Sequence, residues 1–314
     1  MYDKSKGYRF LFGPVPSRRL GRSLGIDIVP SKVCSLNCVY CEVGKTTQCA
    51  ITKQRFNNPS EIISEFSEHY PSFAQKLDIV TITGSGEPTL CSDLGLLISE
   101  IKKISSIPVG VLTNSTLFTD PQVRAELMEA DVVVPSIDAA TPEVFRKICI
   151  PHPSLDISAI NEALVTFSNE YKGRLLIEIL LCEGINDNFE ELGKIADIIS
   201  RCRYEKVQLN TVHRPPAFSS ARPVGSAFLL EAALFLSQRG ISVEPVSNYI
   251  KDFSGGSMTR AELERLITMR PCSVKDISMV FGVPSSEVEA ILAQIPAERL
   301  EIRDMSGENF YFMK

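Results

Sequence analysis

Three cysteines stand within eight residues, Cys34-Ser-Leu-Asn-Cys38-Val-Tyr-Cys41. Thiolates this close can wrap one polynuclear centre, which is how iron–sulfur clusters are held. A structural zinc site needs a fourth Cys or His at its usual spacing. None is near: His69 lies 28 residues beyond Cys41, and Cys49 lies eight beyond it with no matching partner. Three ligands on a four-iron centre leave one iron open, the mark of a working site rather than a structural one. Cys49, Cys91, Cys149, Cys182, Cys202 and Cys272 are scattered singly and read as small buried hydrophobes. A second chemical candidate is Glu178, a carboxylate amid Leu and Ile in a strand-like run. Such a group must be paired or face a polar cavity, so in a barrel lumen Glu178 becomes a substrate-pocket residue. Gln208, Asn210, His213 and Arg214 suit polar or anionic recognition, with loop capping as the alternative.

These residues need a scaffold, and the hydrophobic pattern supplies one. Apolar, β-branched runs occupy 24–29, 78–83, 108–113, 131–137, 174–181 and 206–212. Continuous runs of this kind suit a sheet covered by helices. Helical patterns fill the gaps, at 59–70, 93–104, 121–129, 156–171, 188–201 and 227–239, with another opened by Pro142. Strand–helix alternation repeated six times means parallel crossovers, hence the α/β class, as an open sheet or a partial or full barrel. Function then gathers at the carboxyl ends of the strands, where Cys34 follows the first run. Residues 251–257 read as a linker after a first domain of 1–250. Residues 258–314 show three helices, opened near Thr259, Ser273 and Pro284, then a hairpin around Ser306-Gly307, the pattern of a small winged helix-turn-helix.

Composition fits a packed protein: 314 residues, 44% hydrophobic, 23% charged, net charge −5. Disorder is excluded. No apolar stretch approaches the roughly 20 residues of a membrane span. The first residues lack the apolar core of a signal peptide, so a reducing cytoplasm is expected, with no membrane association. Residues 1–55 carry ten Lys/Arg against three acids, whereas 257–314 carry seven against nine. The basic end either faces an anionic substrate or cofactor or is matched by acids elsewhere. Arg18 and Arg22, four apart before the first strand, are read as anion anchors near the cluster.

The cysteine motif, with Tyr40 before its third cysteine, resembles the signature of the radical S-adenosylmethionine superfamily. Ile82-Thr83-Gly84-Ser85-Gly86-Glu87-Pro88 is similar to that family's Gly-Gly-Glu stretch, with Ser85 inserted. The resemblance implies a partial (β/α)6 TIM-like barrel and a 4Fe-4S cluster on Cys34, Cys38 and Cys41. It also implies S-adenosyl-L-methionine (SAM) chelated at the open iron. Gly84 and Gly86 would let the backbone approach, Glu87 would accept from the methionyl ammonium, and Tyr40 would belong to the cofactor set. Asn114, Ser136 and Asp138, after the third and fourth strands, would contact ribose and methionyl carboxylate, though each also suits a turn or cap. Ile185, in Gly184-Ile185-Asn186-Asp187, would pack adenine. A reductant such as flavodoxin or ferredoxin is implied. Residues 12–27 with 41–44 look like a group allied to the wyosine tRNA synthases. The substrate expected first is an RNA base; a protein or peptide held by the winged helix is the alternative, and a non-catalytic iron–sulfur sensor a remote one. The acidic C-terminal stretch argues against sequence-specific DNA binding.

Overall fold

The structure, a computed structural model, describes residues 8–17, 19–245, 257–305 and 307–314. Arg18 and the greater part of the expected linker therefore lie outside the described residues. In chain order come β1 (Leu11–Ser17), β2 (Gly21–Asp27), β3 (Val33–Cys34), β4 (Gln48–Cys49), α1 (Pro59–Phe73), β5 (Ile79–Thr83), α2 (Leu94–Ile104) and β6 (Val109–Thr113). Then follow α3 (Pro121–Leu127), β7 (Val132–Pro135), α4 (Pro142–Ile148), α5 (Ile157–Glu170), β8 (Arg174–Leu181), α6 (Phe189–Ile199), β9 (Lys206–Thr211), α7 (Ser226–Gln238) and β10 (Val243–Pro245). The main sheet has the order β1-β2-β5-β6-β7-β8-β9-β10. Neighbours from β2 to β10 are parallel and β1 is antiparallel to β2. The six expected strands are all present and lie side by side in chain order.

The sheet is wider than six strands, and the two additions have physical reasons. β1 contains Gly13, Pro14 and Pro16, residues that depress strand propensity but are tolerated on an edge or at a bulge. Its register to β2 does shift between Phe12 and Val15. β10 has three residues, too few to show a period.

Helices cover the sheet through stripes spaced for a 3.6-residue turn. Ile62, Phe66 and Tyr70 are buried on α1, and Leu94, Leu97, Ile98 and Ile101 on α2. They join Val80, Ile82, Val109 and Val111 of the strands in one core cluster. Each such side chain contributes about 1.5–3 kcal/mol by leaving water. Among the described residues, no helix is long and apolar enough to cross a membrane.

The C-terminal residues form α8 (Arg260–Met269), β11 (Cys272–Ser273), α9 (Val274–Phe281), α10 (Ser285–Leu292), β12 (Leu300–Met305) and β13 (Glu308–Met313). Thr259 and Glu262 make the expected capping box, Ser273 and Asp276 make another, and Gly282 ends α9 at φ 66. The hairpin strands gain β11 as a third, in the order β11-β13-β12. Leu263, Leu266, Ile267, Val288 and Leu292 form the core here, and Phe12 and Val15 of β1 belong to the same cluster. The C-terminal unit is thus packed on the edge of the main sheet.

Of the seven Lys/Arg of residues 1–55 among the described residues, four are paired with acids elsewhere in the chain. Arg9 pairs with Glu61, Arg19 with Glu178, Lys53 with Glu126 and Arg55 with Asp93. Four acids of the middle section take these charges, so composition alone overstated the free positive face.

Candidate active site

After β2 the chain climbs into the cysteine loop, which is pinned on several sides. Lys32 N–H donates to Ser85 O (2.7 Å), and Glu87 N–H to Val33 O (3.0 Å). Asn37 N–H donates to Cys149 O and Val39 N–H to Ile148 O, both at 2.9 Å. Cys34, Cys38 and Cys41 are free, half-buried thiols. Burial pushes the Cys34 and Cys41 thiols up, and neighbouring thiols of the same motif add to the rise. Two donors reach the sulfurs: Asn114 Nδ2 lies 3.4 Å from Cys34 Sγ, and Lys32 Nζ lies 3.4 Å from Cys41 Sγ. Among the described residues no three such side chains converge as they would on a single metal ion. Ligands on separate irons need not converge, and N–H donors to sulfur suit a cluster's charge, so this donor set fits a polynuclear iron–sulfur group.

The strand ends around this loop are organised by Glu87, which is 3% exposed. Its Oε1 accepts from Thr89 N–H (3.1 Å), Thr89 Oγ1 (2.6 Å) and Thr113 Oγ1 (2.6 Å), and its Oε2 from Asn114 N–H (2.8 Å). Asn114 in turn donates through Nδ2 to Ser35 Oγ (2.9 Å) beside Cys34. The glycines are sterically required. A Cβ on Gly86 would stand 2.3 Å from Val33 O, and one on Gly84, at φ +141, would stand 2.1 Å from Asp27 Oδ1. Ser85 Oγ donates to Asp27 Oδ2 (2.8 Å), which closes this loop onto the end of β2.

Across the sheet, the Tyr40 hydroxyl donates to Asp138, whose other oxygen accepts from Leu180 N–H at 2.8 Å. Burial pushes the Asp138 carboxyl up to about 7. Asn186, fully buried, accepts from Cys182 N–H and donates to the carbonyls of Asp138 and Leu180. Ile185 packs in the apolar cluster that holds Leu36 and Val39 of the cysteine loop. Cys149 and Cys182 lie in that cluster too, with Cys34 and Cys38 packed against it, so two of the scattered cysteines border the motif.

A cavity of about 290 Å³ runs along the lumen from Arg19 to Cys41. Its wall brings together Tyr40, Cys41, Gly84, Ser136 and Glu178 of the expected set. Asp138 supports that wall through its bonds to Tyr40 and Leu180, whereas Cys34, Cys38, Gly86, Glu87, Asn114 and Ile185 lie off it. Glu178 faces the lumen as expected, gripped by Arg19 (Nη1 to Oε2, 2.7 Å) and Asn210 (Nδ2 to Oε1, 3.0 Å). Arg22 is corrected. Ser23 lines the cavity, so strand alternation sends Arg22 to the other side, at the amino end of β2, where its N–H donates to Asp78 Oδ2 (2.7 Å). Arg19 takes the place expected of it. Ser17 Oγ caps the hairpin turn by accepting from Arg19 N–H and Leu20 N–H, and that turn aims Arg19 inward. Arg214 is buried between Glu42 (3.0 Å) and Asp276 (3.5 Å), and ties the cysteine loop to α9. Burial works against its charge, but the two acids outweigh that and raise its pKa. Sequence reasoning missed Lys32, Ser35 and the cavity-lining Arg270. No local pattern announces them, because their neighbours are set by the fold.

The family model described as the radical SAM superfamily matches residues 28–196, 169 of 314. The chain is 35% identical over 304 residues to a UPF0026 protein of Helicobacter pylori (strain J99), covering 96% of each. It is 33% identical over 288 residues to a Brachyspira hyodysenteriae protein named GTPase Obg, covering 91% of this chain but only 42% of that one. The solved structure of TYW1 with a lysine-pyruvate adduct bound shares the fold at TM-score 0.50 and 20% identity, over 69% of this chain and 73% of that one. The family match begins just after β2, takes in the whole cysteine loop and ends inside α6, so the chain belongs to the radical SAM superfamily, whose enzymes use a 4Fe-4S cluster and S-adenosylmethionine, and within it to the UPF0026 proteins.

Proposed function

We propose that Cys34, Cys38 and Cys41 hold the cluster, and that the adjoining cavity receives SAM and a substrate from which a hydrogen atom is removed. The observation that carries this reading is a single cavity whose wall contains Cys41, Tyr40, Gly84, Ser136 and Glu178. When bound, the cluster would supply one electron for reductive cleavage of the sulfonium C–S bond of SAM, with methionine as the leaving group, and so the capacity to remove a hydrogen atom from substrate. The chain does the rest. Asn114 and Lys32 donate toward the cysteine sulfurs, Glu87 holds the strand ends, and Asp138 fixes the Tyr40 ring. Glu178, held from both sides, presents a preset carboxylate to the substrate. Ile185 keeps the apolar side on which adenine would rest.

The C-terminal unit, which we read as a winged helix-turn-helix, roofs the cavity with Met269 and Arg270 and so helps to exclude water. Its α10 exposes Glu287 and Glu289, which suits this role better than gripping duplex phosphates. An RNA base is the substrate reading we adopt. It is supported by the resemblance of residues 12–27 and 41–44 to the wyosine tRNA synthase group. Flavodoxin or ferredoxin is the reductant class, and the cytoplasm the compartment. The test compares RNA and protein fractions from cells with and without the gene by mass. A modified nucleoside lost with the gene supports the reading, and a change confined to protein overturns it.

A further inference from the structure

We propose that Arg270, brought into the cavity by the C-terminal unit, binds an anionic group of the substrate, a carboxylate or a phosphate. The proposal rests on the reading of this cavity as the substrate site and names the chemistry that the site selects.

The cavity wall carries three guanidinium groups, from Arg19, Arg214 and Arg270, and two carboxylates, from Glu42 and Glu178. Arg19 is committed to Glu178 at 2.7 Å, and Arg214 to Glu42 at 3.0 Å with Asp276 at 3.5 Å. Arg270 makes no ion pair among the described residues, and its Nε is shielded from solvent without a hydrogen-bond acceptor. The Nε of Arg214 is in the same state. Both cations lie close to the buried Cys272 thiol, as do Asp276 and Glu42; burial pushes that thiol up to about 11, the arginines pulling it down and the two acids adding to the rise. The cavity therefore has at Arg270 a corner with unmet guanidinium donors, which water-excluded protein does not keep without cost.

A guanidinium fork matches the two oxygens of a carboxylate or phosphate, and such charge-assisted pairs are strong where water is excluded. The position of the corner is set by packing. Arg270 follows α8, its N–H donating to Leu266 O (3.2 Å), and its neighbour Met269 meets Ser85 Oγ at 3.5 Å. That contact sets the end of α8 against the Gly84-Ser85-Gly86 loop. The C-terminal unit thereby supplies a residue to the site as well as a roof over it.

The test uses reconstituted holoprotein at low ionic strength, with inorganic phosphate and acetate as separate probes titrated by NMR line broadening. Arg270→Ala and Arg270→Gln are compared with Arg303→Ala on exposed β12 as a charge control. Arg270→Gln keeps the bulk should Arg270→Ala fold poorly. The expected result is saturable binding of one of the two anions to the wild type, weakened about 10- to 100-fold by either Arg270 variant and unchanged by Arg303→Ala. Affinity for SAM and iron content should stay at wild-type values. Whichever probe saturates names the group. The proposal is overturned if neither anion saturates, if the Arg270→Gln protein binds as the wild type does, or if the variants lose SAM affinity instead, which would assign Arg270 to the cofactor. Failure of the wild type to cleave SAM would count against the proposed function alone, because the anion titration does not depend on turnover.

Discussion

Replacing Glu87 by Gln should loosen the strand ends around the cysteine loop. The carboxylate accepts four hydrogen bonds, three on Oε1 and one on Oε2, in a site that is 3% exposed. A glutamine has one oxygen to offer. Placed at Oε1 it keeps Thr89 N–H and the two hydroxyls, and its NH2 then faces the Asn114 N–H that Oε2 had accepted. The opposite orientation would confront three donors, so the first prevails. One buried donor left without an acceptor costs about 1–3 kcal/mol. At about 2.1 cal/mol/K of unfolding entropy per residue over 314 residues, 1 kcal/mol moves the midpoint by about 1.5 °C, so it should fall by roughly 3 °C for the central value. The bond lost is the one that places Asn114, whose Nδ2 reaches Cys34 Sγ at 3.4 Å, so SAM affinity should fall as well. Scanning melts of cluster-free protein and equilibrium dialysis of SAM on reconstituted protein separate the two effects. An unchanged midpoint would refute the organising role argued for the four bonds. A lowered midpoint with wild-type SAM affinity would confine Glu87 to structure.

Three further outcomes follow from the same geometry. Arg214→Ala leaves Glu42 and Asp276 without their shared cation, so it should destabilise by about 2–3 kcal/mol and expose the C-terminal unit to limited proteolysis; a wild-type digestion rate would contradict this. A double-mutant cycle of Arg19→Met and Glu178→Gln should show coupling of about 1.5–3 kcal/mol by denaturant unfolding, because both side chains are largely buried; coupling near zero would show that the pair is incidental. Arg22→Ala should leave SAM cleavage and phosphate or acetate binding at wild-type levels, since Arg22 faces Asp78 outside the lumen; loss of either would return it to the site.

What was legible in the sequence was what local pattern encodes. The six central strands are β-branched and apolar runs, continuous in β5 to β8 and alternating in β2 and β9, and they read clearly. β1, broken by Gly13, Pro14 and Pro16, did not, and neither did the three residues of β10. Cysteine spacing announced the metal motif, and a lone carboxylate in an apolar strand announced the lumen at Glu178. Its partner Arg19 lies 159 residues away and is aimed by a hairpin turn, so no window of sequence contained the pair. Tyr40 and Asp138 were both singled out, but their bond spans 98 residues and only the folded sheet makes it. Arg22 was misplaced because its face depends on the β2 register. The N-terminal charge surplus was a fact of composition, and packing of acidic helices against that segment decided how it was matched. Arg270 carried no signal, because it becomes a wall residue only when the C-terminal unit docks on β1.

The central claim is that a cluster on Cys34, Cys38 and Cys41 drives reductive cleavage of SAM. The most direct measurement is the yield of 5′-deoxyadenosine and methionine from SAM by anaerobically reconstituted, dithionite-reduced protein, alongside the Cys34→Ala/Cys38→Ala/Cys41→Ala variant. The account predicts slow cleavage by the wild type without substrate. It predicts no cleavage, almost no iron and no charge-transfer absorbance in the variant. A variant that keeps its full iron complement, or a wild type that binds four irons yet leaves SAM intact, would contradict it.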